Sequence, residues 1–92
     1  MLRIGISENN ESTSFTIEGK LTASGAGELE KCWQAVVAKD PRKPIVVNLA
    51  AVNFIDAAST ELLTRMRRQG VRLRANGCFM NAIIEQIEAD VD

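Results

Sequence analysis

The hydrophobic period of this sequence changes repeatedly along its 92 residues, and that alternation restricts the fold more than any other feature. Over residues 2–7 and again over 14–18, apolar residues alternate with polar or small ones, which is the period-2 pattern of half-buried strands. Asn9-Asn10 tolerates left-handed backbone and predicts a hairpin turn, so the two strands should be antiparallel. A second turn is expected at 19–21, where the sequence reads Gly-Lys-Leu.

A helical period follows the hairpin. Thr22 or Ser24 can cap this helix, and Asp40-Pro41 ends it because proline cannot continue the hydrogen-bond ladder. The nearly unbroken apolar run 45–49 then predicts a central strand covered on both faces. The apolar stripe of the helix recurs at three- and four-residue spacing: Ala26, Leu29, Cys32 or Trp33, and Val36.

At Asp56, directly after Phe54-Ile55, the period changes from strand to helix. Gly70 is expected to close this second helix at its carboxyl end. Its buried face should consist of Leu62, Leu63 and Met66.

Residues 71–75 alternate as a further strand, and Asn76-Gly77 predicts a turn. A last apolar stripe predicts a third helix: Met80, Ile83, Ile84, Ile87 and Val91. The predicted order is β-β-α-β-α-β-α within a single domain, residues 1–92. Because helical crossovers favour parallel neighbours, we expect an α/β fold with a mixed sheet. Its N-terminal hairpin should be antiparallel, its later strands parallel, and its helices packed mainly on one face.

Charge and composition exclude several function classes. Eleven basic and twelve acidic residues give a formal net charge of −1, which argues against a nucleic-acid or anionic-membrane binder, since both depend on a basic excess. The sequence has no histidine, the commonest general base and metal ligand. No serine–base pair, paired carboxylates or metal cluster can be assembled from it. We therefore expect no enzyme activity, no catalytic residue, no metal and no cofactor.

Apolar runs and cysteines bear on the location. No stretch approaches the roughly 18 apolar residues of a membrane span, and residues 1–4 alternate instead of forming a signal peptide. Cys32 and Cys78 fit neither a CxxC pair nor a metal cluster. Reduced thiols in a cytoplasmic protein are favoured over a single long-range disulfide. We expect a cytoplasmic protein that does not insert into membranes.

Asp56 stands just before the second helix, where a carboxylate can accept hydrogen bonds from unpaired first-turn amides. It is either a plain helix cap or a cap that also shapes a partner-binding turn, and the two interpretations are compatible. Ser59 and Thr60 lie in the same first turn. They are ordinary helix residues, exposed hydroxyls at a docking surface, or phosphorylation sites.

Two further patterns allow more than one interpretation. Gly25-Ala26-Gly27 could be a phosphate-binding loop, but it lacks the third glycine or the lysine of such motifs, so flexible helix-start spacing is favoured. A run of arginines is interpreted as a solvated face, in which Arg65 pairs with Glu61 one turn earlier. An acidic protein partner and nucleic acid are the alternatives, the latter without interleaved aromatic residues for stacking. The run comprises Arg65, Arg67, Arg68, Arg72 and Arg74.

The sequence resembles the STAS family, the fold of bacterial anti-sigma factor antagonists and of cytoplasmic domains in sulfate transporters. The resemblance covers nearly the whole chain, and the Phe-Ile-Asp signal at 54–56 is its most informative part. It implies the same mixed sheet and a non-enzymatic regulatory module that binds a protein partner. The matching segments are Gly19-Lys20-Leu21, Ile45-Val46-Val47-Asn48-Leu49, Val52-Asn53-Phe54-Ile55-Asp56, Leu62-Leu63 and Gly70-Val71-Arg72-Leu73.

The resemblance also implies a site. In phosphorylation-switched members of the family, an aspartate is followed by two serines and a glycine, and the second serine accepts phosphate from a partner kinase. Here Asp56 matches the aspartate, Ala57 and Ala58 occupy the serine positions, and Ser59 stands at the glycine. The family's phosphoacceptor is therefore missing. Thr22 also replaces an aspartate that often follows the family's Gly-x-Leu.

We therefore expect a protein-interaction module resembling an anti-sigma factor antagonist and not phosphorylation-switched at the family site. Its partner would be an anti-sigma factor or kinase, a sensor assembly or a membrane-transporter subunit. The alternative is a domain that senses a nucleotide or lipid at the start of helix two or in the glycine-bearing turn, or an accessory subunit of a transporter. The candidate partner-binding residues are Asp56, Ala57, Ala58, Ser59, Thr60 and Glu61.

Overall fold

The computed structural model describes residues 2–75 and 78–91, with the side chains of the last helix described over 81–89. The order of elements confirms the predicted one, and the turn predicted at Asn76-Gly77 lies outside the described residues. The elements are β1 (Leu2–Glu8), β2 (Thr13–Leu21), α1 (Ala23–Lys39), β3 (Ile45–Ile55), α2 (Ala57–Arg68), β4 (Arg72–Arg74) and α3 (Cys78–Val91).

The four strands form one mixed sheet in the order β1-β2-β3-β4. The β1–β2 pair is an antiparallel hairpin, whereas β2–β3 and β3–β4 are parallel, as predicted. The hairpin turn is stabilised by Asn9, whose side-chain oxygen accepts hydrogen bonds from the amides of Glu11 and Ser12 at 2.7 and 2.8 Å. This local bonding confirms the turn expected from the Asn-Asn pair.

The turn expected at 19–21 is wrong, because β2 continues through Leu21. Gly19 has a φ of 100°, a value that residues with a side chain rarely adopt, and the pairing register with β3 shifts between Gly19 and Lys20. A glycine in this conformation allows a bulge within a strand as readily as a turn. The strand therefore reaches Leu21, which pairs with Ile55 at the end of β3.

Among the residues that the structure describes, one face of the sheet is covered and the other is open. Phe15, Val47 and Leu49 are fully buried, whereas Thr16 and Asn48 on the opposite face are exposed. The expectation that Ile45–Leu49 is covered on both faces is therefore wrong. The run belongs to a central strand of the sheet. The helices pack on one side of that sheet, as the predicted fold class states.

The helix ends follow local chemistry. Lys39 is the last residue of α1, and the amide of Asp40 donates to the Val36 carbonyl before Pro41 stops the helix. Gly70, with a φ of 95°, follows the end of α2, in agreement with the predicted glycine cap. The buried helix residues that pack on the sheet are Ala26, Leu29, Trp33, Val36, Leu62, Leu63, Met66, Ile84 and Ile87.

Candidate functional site

Asp56 occupies the turn between β3 and α2 and caps that helix. Its backbone is extended, with φ −96° and ψ 177°, and its Oδ1 accepts a hydrogen bond from the amide of Ser59 at 2.8 Å. The strand ends and the helix begins within one residue, because this carboxylate satisfies an amide that has no partner in the first turn. The predicted helix cap is confirmed.

The second carboxylate oxygen of Asp56 caps α1 as well. Asp56 Oδ2 accepts a hydrogen bond from the amide of Ala23, the first residue of α1, at 2.9 Å. Thr22 holds the N-cap position of α1, as expected, but its side chain makes no capping bond, and the alternative cap Ser24 lies within the helix. The two helices start side by side because Leu21 and Ile55, the last residues of two parallel strands, are paired. One carboxylate therefore serves both helix N-termini.

The hydrogen bonds to Asp56 favour its charged form. The bond from the Ser59 amide is the largest cause of a pKa below the ordinary value of 3.8, and the Ala23 amide lowers the pKa further. The positive ends of two helix dipoles act in the same direction. Asp56 is thus ionised in the folded chain at every pH above its ordinary range.

We expect the contribution of this carboxylate to stability to depend on pH with a definite sign. Because the folded pKa lies below the unfolded pKa, the contribution is fully present above about pH 4 and is lost as the pH falls through the folded value. Thermal denaturation of wild type and Asp56→Asn from pH 7 to pH 3 checks this. Wild type should have the higher Tm at pH 7, and the two midpoints should converge in acid. A constant difference across the range would contradict the assignment.

Ser59 lies inside the molecule. Its exposed fraction is 0%, and its hydroxyl donates a hydrogen bond to the carbonyl of Leu21 at 2.9 Å. Of the three interpretations of Ser59, the exposed hydroxyl is therefore wrong, because the first turn of α2 packs on the end of β2. The hydroxyl of half-buried Thr60 donates to the carbonyl of Asp56 at 3.0 Å. Both hydroxyls bond within the fold.

The exposed part of the turn is apolar at its centre. Ala57, Ala58 and Glu61 are exposed, and the Phe54 side chain just before the turn is 46% exposed. We name these four residues the turn surface. Lys20, also exposed, pairs with Phe54 across the sheet. The candidate residues are therefore brought together, except that Ser59 lies beneath the surface and Asp56 and Thr60 are half-buried at its edge.

Phe54 is the residue that the sequence-based site omitted. A strict alternation that continued from buried Ile45 places residue 54 on the outer face of the sheet. The register between β2 and β3 shifts twice, between Thr16 and Glu18 and between Gly19 and Lys20. The two shifts offset each other by residue 54, so Phe54 lies outside and half-buried Ile55 packs against the core. The alternation and the apolar type of residue 54 were therefore the sequence signals for it.

Two ion pairs join the arginine-rich segment to neighbouring helices. Arg65 Nη1 lies 2.8 Å from Glu30 Oε2 of α1, so its expected pairing with Glu61 is wrong. The hydrogen bond to Glu30 raises the pKa of Arg65, and Glu61 contributes by charge alone. Arg67 Nε lies 3.1 Å from Glu88 Oε2 of α3. Two arginines of the segment therefore link α2 to neighbouring helices, so the segment is not wholly a solvated face.

The glycines near the start of α1 do not form a loop. Gly25 and Gly27 lie within α1, and Gly25 is buried where an added Cβ would meet the Leu2 side chain. A phosphate-binding loop at this place is therefore wrong, and the glycine allows β1 to approach the helix closely. Over residues 2–75 and 78–91, no helix is long and apolar enough to cross a bilayer. Within the side chains that the structure describes, no three potential ligands gather around a common metal position.

Comparisons with known proteins extend these observations. A family model described as the STAS domain matches residues 3–87. An anti-sigma factor antagonist from Mycobacterium paratuberculosis gives a TM-score of 0.80 at 20% identity, over 98% of this chain and 80% of the other. The unphosphorylated anti-sigma factor antagonist SpoIIAA gives 0.65 at 10% identity, over 94% and 98%.

A larger protein contains a similar unit. The crystal structure of Mglu gives a TM-score of 0.64 at 19% identity over 82% of this chain, which spans 19% of the Mglu chain. No curated protein matches the sequence. At these identities the structural likeness shows the fold alone. The match to the family model rests on the sequence itself.

Proposed function

Because the chain belongs to the STAS domain family, we propose that it is a non-enzymatic regulatory module that binds a protein partner in the manner of an anti-sigma factor antagonist. The exposure of Phe54, Ala57 and Ala58 on the two sides of the Asp56 turn carries this proposal. A half-exposed phenylalanine gains free energy when a partner covers it, and aromatic residues are enriched at the centres of protein interfaces. Small neighbours let a partner approach the backbone closely.

The turn surface is held in place in the free protein. Asp56 ties the first turns of α1 and α2 together, and Ser59 fastens α2 to the end of β2. A surface built on helix starts that are fixed in this way loses little conformational entropy on binding. Preorganisation of this kind supports a recognition surface rather than a segment that folds on binding.

We propose further that partner binding is constitutive. Ala58, which is exposed and which the resemblance matches to the family's phosphoacceptor, has no hydroxyl. The Ser59 hydroxyl is buried, and that of Thr60 is bonded to the Asp56 carbonyl. A kinase would have to open the first turn of α2 to reach Ser59. The partner we favour is an anti-sigma factor or kinase in the cytoplasm, in preference to a sensor assembly or a transporter subunit.

A nucleotide or lipid headgroup at the start of α2 is not favoured. The Ser59 amide that an anion would use is already bonded to Asp56, and the carboxylate itself repels a phosphate. The glycine-bearing segment lies within α1 and offers no loop. Small-ligand binding at these two places therefore has less support than protein binding.

The turn surface is tested with Ala58→Glu against a matched control, Ala82→Glu. Both alanines are exposed on helices, so both variants add one acid at a solvent-facing position. We expect Ala58→Glu to weaken binding of an anti-sigma factor from the same organism by about tenfold or more, because an unpaired charge would be buried under the partner. Isothermal titration calorimetry measures this. Equal affinities of the two variants would place the interface elsewhere.

A further inference from the structure

A cavity of about 830 Å³ lies at the opposite end of the parallel strands from the turn surface. Its walls are the last turns of α1, the 41–44 connection into β3, and the segment from the end of α2 to the start of β4. We name it the basal cavity. Its volume falls within the range of small-molecule sites, roughly 300–1,000 Å³.

The lining of the basal cavity is strongly cationic although the chain as a whole carries a net charge of −1. Four of its side chains are basic, and the single acidic one, Glu30, is bonded to Arg65 at 2.8 Å. In the described part of the chain, Arg42, Lys43 and Arg72 form no ion pair. Three cations that share one concave surface focus a positive potential on its interior. Such a surface attracts anions.

Trp33 gives the cavity an aromatic wall. Its side chain lines the cavity and is only 9% exposed, and its indole nitrogen is shielded from solvent, so a ligand would meet the ring and not the N–H. The apolar residues Val37, Pro41 and Pro44 also line the cavity. The site thus combines donors for an anion with a wall for an apolar body.

We propose that the basal cavity binds a small organic anion: a phosphate or carboxylate group carried on an apolar chain or ring. Arg42 and Arg72 present planar guanidinium groups that match both head groups in a bidentate geometry, and Lys43 adds a point charge. The apolar body lies against the Trp33 side of the cavity. This site is separate from the turn surface and does not depend on the partner proposed there.

The fluorescence of Trp33, the single tryptophan, tests the proposal directly. The intact protein is titrated with octyl phosphate, octanoate and octanol, each below its micelle-forming concentration, and Tm is measured in parallel. We expect a saturable emission change and a raised Tm with one or both anions, and the tighter one identifies the head group. Octanol, which shares the apolar body but lacks the charge, should bind at least about tenfold more weakly.

Arg72→Gln and Arg74→Gln form the matched pair of variants. Both arginines are exposed on β4, but only Arg72 lines the basal cavity. We expect Arg72→Gln to weaken anion binding by about tenfold and Arg74→Gln to leave it nearly unchanged. Equal losses in the two variants, octanol binding as tight as the anions, or no saturable signal from either anion would each overturn the proposal.

Discussion

Ala58→Ser should convert a partner complex that is indifferent to ATP and a kinase into one that the kinase dissociates. The side chain at position 58 is exposed in the first turn of α2, so a serine there would be accessible without unfolding. A phosphate adds about −1.5 to −2 charges, close to Asp56 and Glu61, in the middle of the turn surface. We expect phosphorylation to weaken partner binding by roughly 100-fold, because a desolvated, unpaired charge at an interface is costly.

The measurement combines partner capture with intact mass. Wild type, Ala58→Ser and Ala82→Ser are each incubated with ATP and the kinase that acts on serine-bearing relatives. Wild type and Ala82→Ser should keep the partner. Ala58→Ser should gain one phosphate and release the partner. A phosphate on wild-type Thr60 or Ser59, accompanied by release of the partner, would contradict constitutive binding and move the switch along α2.

Asp56→Ala should cause the largest loss of stability of any single substitution in the turn. It leaves the amides of Ser59 and Ala23 without acceptors, and it removes a negative charge from the positive ends of two helices. An ordinary cap serves one helix. Because two caps are lost together, we expect Tm to fall by about 10 °C, roughly twice the effect of a single cap in a domain of this size.

Thr22→Ala is the control for that experiment. Thr22 occupies the N-cap position of α1 but makes no side-chain capping bond, so its removal should leave Tm nearly unchanged. Asp56→Asn should fall between wild type and Asp56→Ala, since an amide has one acceptor oxygen where the carboxylate has two. A loss in Thr22→Ala as large as that in Asp56→Ala would show that α1 is capped by its own residue.

Several features of the fold could be predicted because they depend on neighbouring residues. The period-2 and 3.6-residue patterns indicated the order of elements, since each pattern depends only on which residues lie within a few positions of one another. The hairpin turn at Asn9, the end of α1 before Pro41 and the capping of α2 by Asp56 are local for the same reason. Charge balance and the lack of histidine likewise limit the chemistry open to the chain, because both are properties of its composition alone.

Other features were decided by which residues the fold brings together across long stretches of chain. The two bulges between β2 and β3 determine which residues pair at the ends of these strands. The pairing of Leu21 with Ile55 then places the starts of α1 and α2 side by side. For this reason Asp56 reaches Ala23, and Ser59 is buried against Leu21.

The pairing of charges shows the same division. A helical spacing of four favoured Glu61 as the partner of Arg65, but the packing of α1 against α2 places Glu30 Oε2 2.8 Å from Arg65 Nη1. The basal cavity likewise collects cations from α2, β4 and the 41–44 connection, which are separated in the sequence. Local periodicity determines the elements and their faces, because it acts within one element. Their mutual registers, and hence both surfaces proposed to bind other molecules, depend on packing between elements, which no local pattern encodes.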